Sequence, residues 1–373
     1  MVFVFWGAIA VVVYSYFAYP TFLWICSHLH PRPAQSGPYS ATIAIIMVVR
    51  NEAVVLERKL RNLCSIDYPA DKTEVIVVSD GSTDKSNSIL AEFGGAEQLT
   101  SVIRDRPLGK AVGLNDAIEA ASAEIVVFTD ARQYIEAPAV RFLVENFADP
   151  DVGCVSGELM LGDPAAGENT RGLGRYWKFE KKIREMESAS GSVIGATGAL
   201  YAARRDLLVR LPPETIVDDV YIPMHVLRQG KRVIFDSRAR AWDVADQGHQ
   251  KEFARKVRTV SGVYQLLRLA PWLLGPLNPV WFRFFSHKVS RLLVPLALAA
   301  VLLSSAVLPG AIYRIALILQ LVFYSLGLWA LMRQRPIVSS RIEEVASSIV
   351  LLNTAALVAL TNVLFGRKVA WLR

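Results

Sequence analysis

The chain has 373 residues, 53% of them hydrophobic and 20% charged, and a formal net charge of +7. Stretches without Asp, Glu, Lys or Arg run at 1–31, 292–313, 315–332 and 345–366, each long enough, at roughly 17 residues or more, to cross a bilayer as a helix. A purely soluble enzyme and a disordered chain are thereby excluded, and the polar region 32–291 excludes a transporter built wholly of spans.

The first stretch lacks the basic start and small-residue cleavage site of a secretory signal, so it reads as a retained anchor. Its first charge, Arg32, predicts the N-terminus outside and residue 32 onward inside. A linker with Pro31, Pro33 and Pro38 follows. Thr42–Val49 is a continuous apolar and β-branched run, the mark of a buried parallel strand. Asn51 is expected to cap a helix whose Leu56, Leu60 and Leu63 share one face. Glu74–Ser79 reads as a second strand, ending at Asp80-Gly81-Ser82-Thr83-Asp84. A helix and a short strand near Ser101–Arg104 come next. Gly109–Ala121 reads as a helix, Glu124–Thr129 as a buried strand ending at Asp130, and Val152–Ser156 as a fifth strand. The alternation predicts an α/β domain with a mainly parallel sheet covered on both faces. Ligands of such sheets sit at the carboxyl ends of the strands.

Beyond the fifth strand the pattern is less regular. Tyr176–Glu187 reads as an exposed helix, followed by the small-residue run Gly195–Ala199. A helix is expected after Val217-Asp218-Asp219, and a late strand at Lys231–Phe235. Residues 263–290 mix Trp272, Trp281 and Arg283 with apolar residues and prolines, the composition of amphipathic interfacial helices. The predicted organisation is an anchor at 1–31, a catalytic domain at 32–262, interfacial helices at 263–291 and about three spans in 292–373.

Eight Lys/Arg in 251–291, against the single acid Glu252, fit attraction to anionic lipid and a cytoplasmic face. No DNA or RNA motif accompanies them, so no nucleic-acid partner is expected. The basic loop with Arg333, Arg335 and Arg341 also predicts a cytoplasmic position. Four spans then leave the tail outside, which conflicts with Arg367, Lys368 and Arg373. A re-entrant last span or a tail at the interface would resolve the conflict. Cys26, Cys64 and Cys154 form no C-x-x-C pair, against a disulfide framework or structural zinc and in keeping with a reducing cytoplasm.

No G-x-G-x-x-G follows a strand and no phosphate-binding P-loop is present. The strand ends carry carboxylates instead. Asp80, in a Gly-Ser-Thr turn, can accept hydrogen bonds from a base or ribose; a purely capping role suits Asp84 better. Asp130, at the mouth of a buried strand, suits a hard divalent cation that bridges phosphates. The bland alternative is an Asp that merely ends its strand.

These strings together resemble a known family. Val48-Val49-Arg50-Asn51-Glu52, Asp67-Tyr68-Pro69, Val77-Val78-Ser79-Asp80-Gly81-Ser82-Thr83-Asp84, Gly109-Lys110, Asn115, Phe128-Thr129-Asp130 and Val217-Asp218-Asp219 occur in the order found in membrane-bound family-2 glycosyltransferases. The resemblance spans about 45–265. It implies a GT-A fold, a nucleotide-sugar donor (commonly a UDP-sugar), a divalent metal such as Mg²⁺ or Mn²⁺, and inversion at the anomeric carbon. By this resemblance Glu52 and Asp80 hold the nucleoside, with Arg50, Gly81 and Ser82 in the same donor-binding turns, and Asp130 is the metal-side carboxylate. Asp219 matches the acceptor-activating base, a role worth roughly 10²–10⁴ in rate. The departing diphosphate needs cations to neutralise it. Adjacent Asp218 and Asp219 diverge by about 100° on a helix, so only one can aim into the cleft. Asp219 is the chosen base, and Asp218, the other catalytic candidate, would cap or salt-bridge.

Two departures from the family pattern matter. The metal motif D-x-D reads Asp130-Ala131-Arg132, and a guanidinium cannot ligate a metal. The metal would rely on Asp130, phosphates, waters and a later ligand such as His249, leaving Arg132 to contact donor or acceptor. The motif Q-x-x-R-W of processive members reads Arg255-Lys256-Val257-Arg258-Thr259. Arg258 keeps the arginine suited to phosphate, with Arg255 beside it in the donor-binding set; Thr259 replaces the tryptophan. Lys110 either faces the diphosphate or is a solvated helix-start lysine. The resulting expectation is a membrane-anchored inverting glycosyltransferase of the inner cell membrane. It would act on a lipid-linked or polysaccharide acceptor in envelope or exopolysaccharide synthesis. The alternatives are a processive synthase, for whose channel four spans are few unless interfacial helices, a second copy or an export partner add to them, and a non-catalytic nucleotide-sugar-binding component.

Overall fold

The computed structural model describes residues 1–94, 99–164, 167–168, 174–243, 248–333 and 340–367. The chain opens on α1 (Val2–Val13), which passes through a π-helical turn, Tyr14–Ala18, into α2 (Tyr19–Leu29). The domain then alternates: β1 (Ile43–Val49), α3 (Ala53–Cys64), β2 (Thr73–Asp80), α4 (Ser86–Phe93), β3 (Leu99–Arg104), α5 (Lys110–Ala120) and β4 (Ile125–Thr129). Next come β5 (Tyr134–Ile135), α6 (Ala139–Glu145), β6 (Val152–Asp163), β7 (Gly167–Glu168) and α7 (Gly174–Ala189). The domain continues with β8 (Leu200–Arg204), α8 (Asp218–Arg228), β9 (Arg232–Asp243) and α9 (Gly248–Leu269). The C-terminal part is α10 (Trp281–Phe284), a second π turn at Phe285–Val289, α11 (Ser290–Val307), α12 (Ala311–Met332) and α13 (Arg341–Leu364).

The sheet runs β3-β2-β1-β4-β8-β6-β9-β5, with β7 paired to β6. All seven residues of β1 are buried. Its alternate side chains feed two cores, Ala44, Ile46 and Val48 toward α5 and α8, and Ile43, Ile45 and Met47 toward α3 and α6. Burial on both faces is why this strand reads as an unbroken apolar run. The first four strands are parallel, as predicted. Beyond β4 the sheet is mixed. β8 runs antiparallel to both β4 and β6, while β6 and β9 are parallel. β8 has no counterpart in the sequence prediction, because Leu200–Arg204 is short and merges with the small-residue run before it.

Local expectations change at two points. Asn51 does not cap α3; it adopts φ +54°, and its side-chain oxygen accepts from the Thr83 N–H at 2.8 Å. Asp84 serves both neighbouring helices, accepting from Ala53 N–H at 3.0 Å and Ser86 N–H at 2.9 Å. The second change is α7, predicted as exposed. Ile183 and Met186 are buried against Tyr19 and Leu23 of α2, and Glu187 is fully buried.

Among the described residues, four helical segments are long and apolar enough to cross a membrane: Val2–Leu29, Trp281–Val307, Ala311–Met332 and Arg341–Leu364. The second begins within the region predicted as interfacial, because its charges find partners inside the protein. Arg283 donates to the carbonyls of Glu187 (2.6 Å), Ser190 (2.7 Å) and Ser192 (3.0 Å). Arg291 pairs with Glu180. The two π turns meet, with Tyr14 Oη 2.6 Å from Ser286 Oγ and Ser15 donating to Ser290 at 3.1 Å. The last segment is one unbroken helix rather than a re-entrant hairpin, and its Ala355 and Ala359 pack on Val257 of α9. The three cysteines are unpaired.

Candidate active site

A cavity of about 540 Å³ opens where β1 and β2 end and α5 begins, lined by Val49, Arg50, Asp80, Pro107, Gly109 and Lys110. Asp80 builds its wall. One carboxylate oxygen accepts from Leu108 N–H and the other from Gly109 N–H, both at 2.8 Å. Arg104 adds a contact at 3.3 Å and also pairs with Asp116. Gly81, at φ +65°, lets the loop lie against the strand end: an added Cβ would fall 2.5 Å from Pro107 N. Gly81→Ala should therefore destabilise the protein by about 1–3 kcal/mol and weaken nucleotide binding, read by thermal unfolding and nucleoside diphosphate titration. Ser82 Oγ accepts from Asn51 N–H at 3.2 Å and from Ser79 at 2.9 Å, holding the turn that carries Arg50 and Glu52. Arg50 Nε is buried with no hydrogen-bond partner among the described residues, a donor turned to the cavity wall.

Lys110 joins this cavity to the other carboxylates. Its ammonium lies 3.0 Å from Asp130 and 3.2 Å from Asp218. Burial works against the charge, but Asp130 and Asp218 outweigh it and hold the pKa above the ordinary lysine value. It is not a solvated helix-start lysine. Burial raises the pKa of half-buried Glu52; Arg132 opposes that shift, and Asp130 and Asp84 add to it, so these charges face one another across the strand ends. The Arg132 side chain is exposed, and its carbonyl accepts from Arg58 at 3.0 Å.

The adjacent aspartates have different partners. Asp218 belongs to Lys110. Asp219 accepts from Gly198 N–H at 3.1 Å, and its carbonyl accepts from Ala196 N–H at 2.7 Å. The small-residue run thus wraps the first turn of α8. Burial and the Asp218 charge push the Asp219 carboxyl up to about 6, with Lys110 opposing. Lys110, which lines the cavity beside Asp80, thus ties Asp130 and Asp218 to that cavity, and Asp219 follows Asp218 in the first turn of α8.

The remaining predicted residues lie along α9. Arg255 pairs with Glu252 and stands 3.8 Å from Asp243, which accepts from Gln133 at 3.0 Å. Arg258 sits one turn before Gly262, which packs directly on Ile216 and Val217 ahead of Asp218; residues four apart share a helix face. His249 opens α9, but its side chain lies outside the described residues. Among the described residues no three His, Cys, Asp or Glu gather as a metal cluster. Asp130 alone fits a cation that takes its other ligands from phosphates and water.

Lys59 was not singled out from the sequence. It is 1% exposed, and its ammonium donates to Thr129 Oγ1 at 2.9 Å and to the Gln133 carbonyl at 2.8 Å. Burial lowers its pKa to about 7, with Asp130 opposing. The available signal was a lysine set within the Leu56, Leu60, Leu63 stripe.

The parallel strands ending in acidic turns, extended by an antiparallel strand, define a GT-A nucleotide-sugar transferase fold. The mannosyltransferase PcManGT from Pyrobaculum calidifontis, solved in complex with GDP-Man and Mn²⁺, shares that fold. It superposes with a TM-score of 0.74 at 24% identity over 97% of this chain and 99% of that one. Residues 44–211, just under half of the chain, match the model of Glycosyl transferase family 2. Beta-monoglucosyldiacylglycerol synthase of Synechocystis sp. is 27% identical over 193 residues, covering 50% of this chain and 40% of the relative. Poly-beta-1,6-N-acetyl-D-glucosamine synthase of Staphylococcus aureus is 23% identical over 234 residues, covering 60% and 55%. The chain thus spans about half the length of these curated relatives.

Proposed function

We propose that the chain is a membrane-anchored, inverting glycosyltransferase. It moves a sugar from a nucleoside-diphosphate sugar to a lipid-linked or polysaccharide acceptor at the cytoplasmic face of the cell membrane, in envelope or exopolysaccharide synthesis. The observation that carries this reading is Lys110, which lines the cavity beside Asp80 and pairs with both Asp130 and Asp218, the neighbour of Asp219. The nucleotide fills the cavity beside Arg50, and the diphosphate meets Lys110 and the N-terminus of α5, where backbone N–H groups favour anions. Arg258 approaches from α9. Asp130 would hold a divalent cation such as Mg²⁺ or Mn²⁺, which would supply Lewis-acid neutralisation of the leaving group when bound. Asp219 takes the proton of the acceptor hydroxyl. The acceptor oxygen bonds to the anomeric carbon, the carbon–oxygen bond to the diphosphate breaks, and its electron pair leaves on the phosphate oxygen. A single displacement inverts the centre. Arg32 and the cations of 251–291 support the cytoplasmic side, and the names of the relatives support a lipid or polysaccharide acceptor.

A panel of nucleotide sugars offered to purified membranes, read by nucleoside diphosphate release, tests this. Turnover of one donor with Mg²⁺ or Mn²⁺ and its loss in EDTA are expected. Tight donor binding without turnover would instead favour a non-catalytic component. Similarity to the Staphylococcus aureus synthase supports a second, processive reading, which Thr259 in place of a tryptophan disfavours. Labelled product distinguishes them: one added sugar or a ladder.

A further inference from the structure

Lys59 lies beneath the turn that carries Asp130. Its two acceptors, Thr129 Oγ1 and the Gln133 carbonyl, bracket Asp130-Ala131-Arg132. Both anchors are themselves tied down: Thr129 donates to the Ala199 carbonyl at 2.9 Å, and Gln133 donates to Asp243 at 3.0 Å. The next residue in sequence, Arg58, grips the same turn from outside through the Arg132 carbonyl. Among the described residues no carboxylate forms an ion pair with the Lys59 ammonium. An apolar side chain would meet a merely structural need at lower cost, since burying an ammonium is expensive. The Lys59 side chain instead reaches the two ends of the turn that carries Asp130, a carboxylate suited to a cation and a diphosphate.

We propose that Lys59 is a positioning residue: it clamps both ends of the Asp130 turn and so fixes that carboxylate where the donor diphosphate and its cation bind. The proposal rests on the reading of Asp130 as the diphosphate-side carboxylate. Orienting groups behind a ligand change metal affinity by about 10–100-fold when removed.

The test uses the full chain in detergent, with Lys59→Met, Asp130→Ala and the double variant. UDP and GDP are titrated calorimetrically with Mn²⁺ and with EDTA, and thermal unfolding is recorded. Lys59→Met should weaken Mn²⁺-dependent binding by about 10–100-fold and leave binding in EDTA unchanged, while still unfolding in a single cooperative transition. In the Asp130→Ala background it should have no further effect, because coupled residues are non-additive. An equal loss with and without Mn²⁺, or a loss that adds to that of Asp130→Ala, overturns the proposal. So does parent-like binding by Lys59→Met when Asp130→Ala binds weakly, and in that case the site reading survives. Failure of the parent protein to bind UDP or GDP, or parent-like binding by Asp130→Ala, overturns the site reading and the clamp together. Thr129→Val keeps the ammonium and removes one anchor, so it serves if Lys59→Met does not fold. It should show the same Mn²⁺-dependent loss to a smaller extent, and parent-like binding by it also overturns the clamp.

Discussion

Asp219→Asn should lower sugar transfer by about 10²–10⁴-fold while leaving nucleoside diphosphate affinity unchanged. Asparagine keeps an oxygen for the Gly198 N–H but cannot take a proton. The expected pH profile follows from the same residue. Its carboxyl is pushed up to about 6 by burial and by Asp218, and the base must be ionised to act. Transfer should therefore plateau above that value and fall about tenfold per pH unit below it. Asp218→Asn removes the neighbouring like charge and should move the acid limb to lower pH. Stability runs the other way. A carboxyl raised above its unfolded value contributes stability that is full below the ordinary aspartate pKa and lost as pH rises through about 6. Asp219→Asn should accordingly be at least as stable as the parent at neutral pH. Transfer that survives Asp219→Asn and vanishes in Asp218→Asn would reverse the two roles.

Glu187→Ala should destabilise the protein by roughly 3–5 kcal/mol, the usual result of removing one member of a buried charged pair. Glu187 Oε1 accepts from the Tyr19 hydroxyl at 2.6 Å and lies 2.9 Å from His287 Nδ1. The other ring nitrogen lies 3.1 Å from Glu180, which pairs with Arg291. Burial raises the Glu187 pKa, but His287 and Tyr19 outweigh it and the net shift is down. Alanine would strand both partners, whereas Glu187→Gln keeps an acceptor and should lose less. Thermal unfolding in detergent reads the difference; a parent-like midpoint for Glu187→Ala would show that this cluster contributes nothing to the fold.

The parallel half of the domain was legible because its signals are local. A strand buried on both faces, such as Ile43–Val49, must be apolar throughout, and the acidic turns follow directly on such strands. The unpaired thiols and the four apolar segments were equally plain. What stayed hidden depends on distant partners. Glu180 and Glu187 look like the polar face of a surface helix until His287 and Arg291 arrive about a hundred residues later. Lys59 reads as helix-surface charge unless its place in the leucine stripe is weighed. Asn51 has the composition of a cap, yet the Ser79–Asp84 turn claims its side chain. β8 is too short to announce itself, and its direction is set by the return path through α7 rather than by its own residues.

The welded contact of the two π turns, with the Glu187 cluster beneath it, ties the first and second apolar segments to α7. On the membrane-anchored reading, this junction acts as a ruler. It would hold the Asp219 carboxylate at a constant elevation over the lipid plane, and acceptors would then be sorted by how far their hydroxyl stands out from the bilayer as well as by chemical identity.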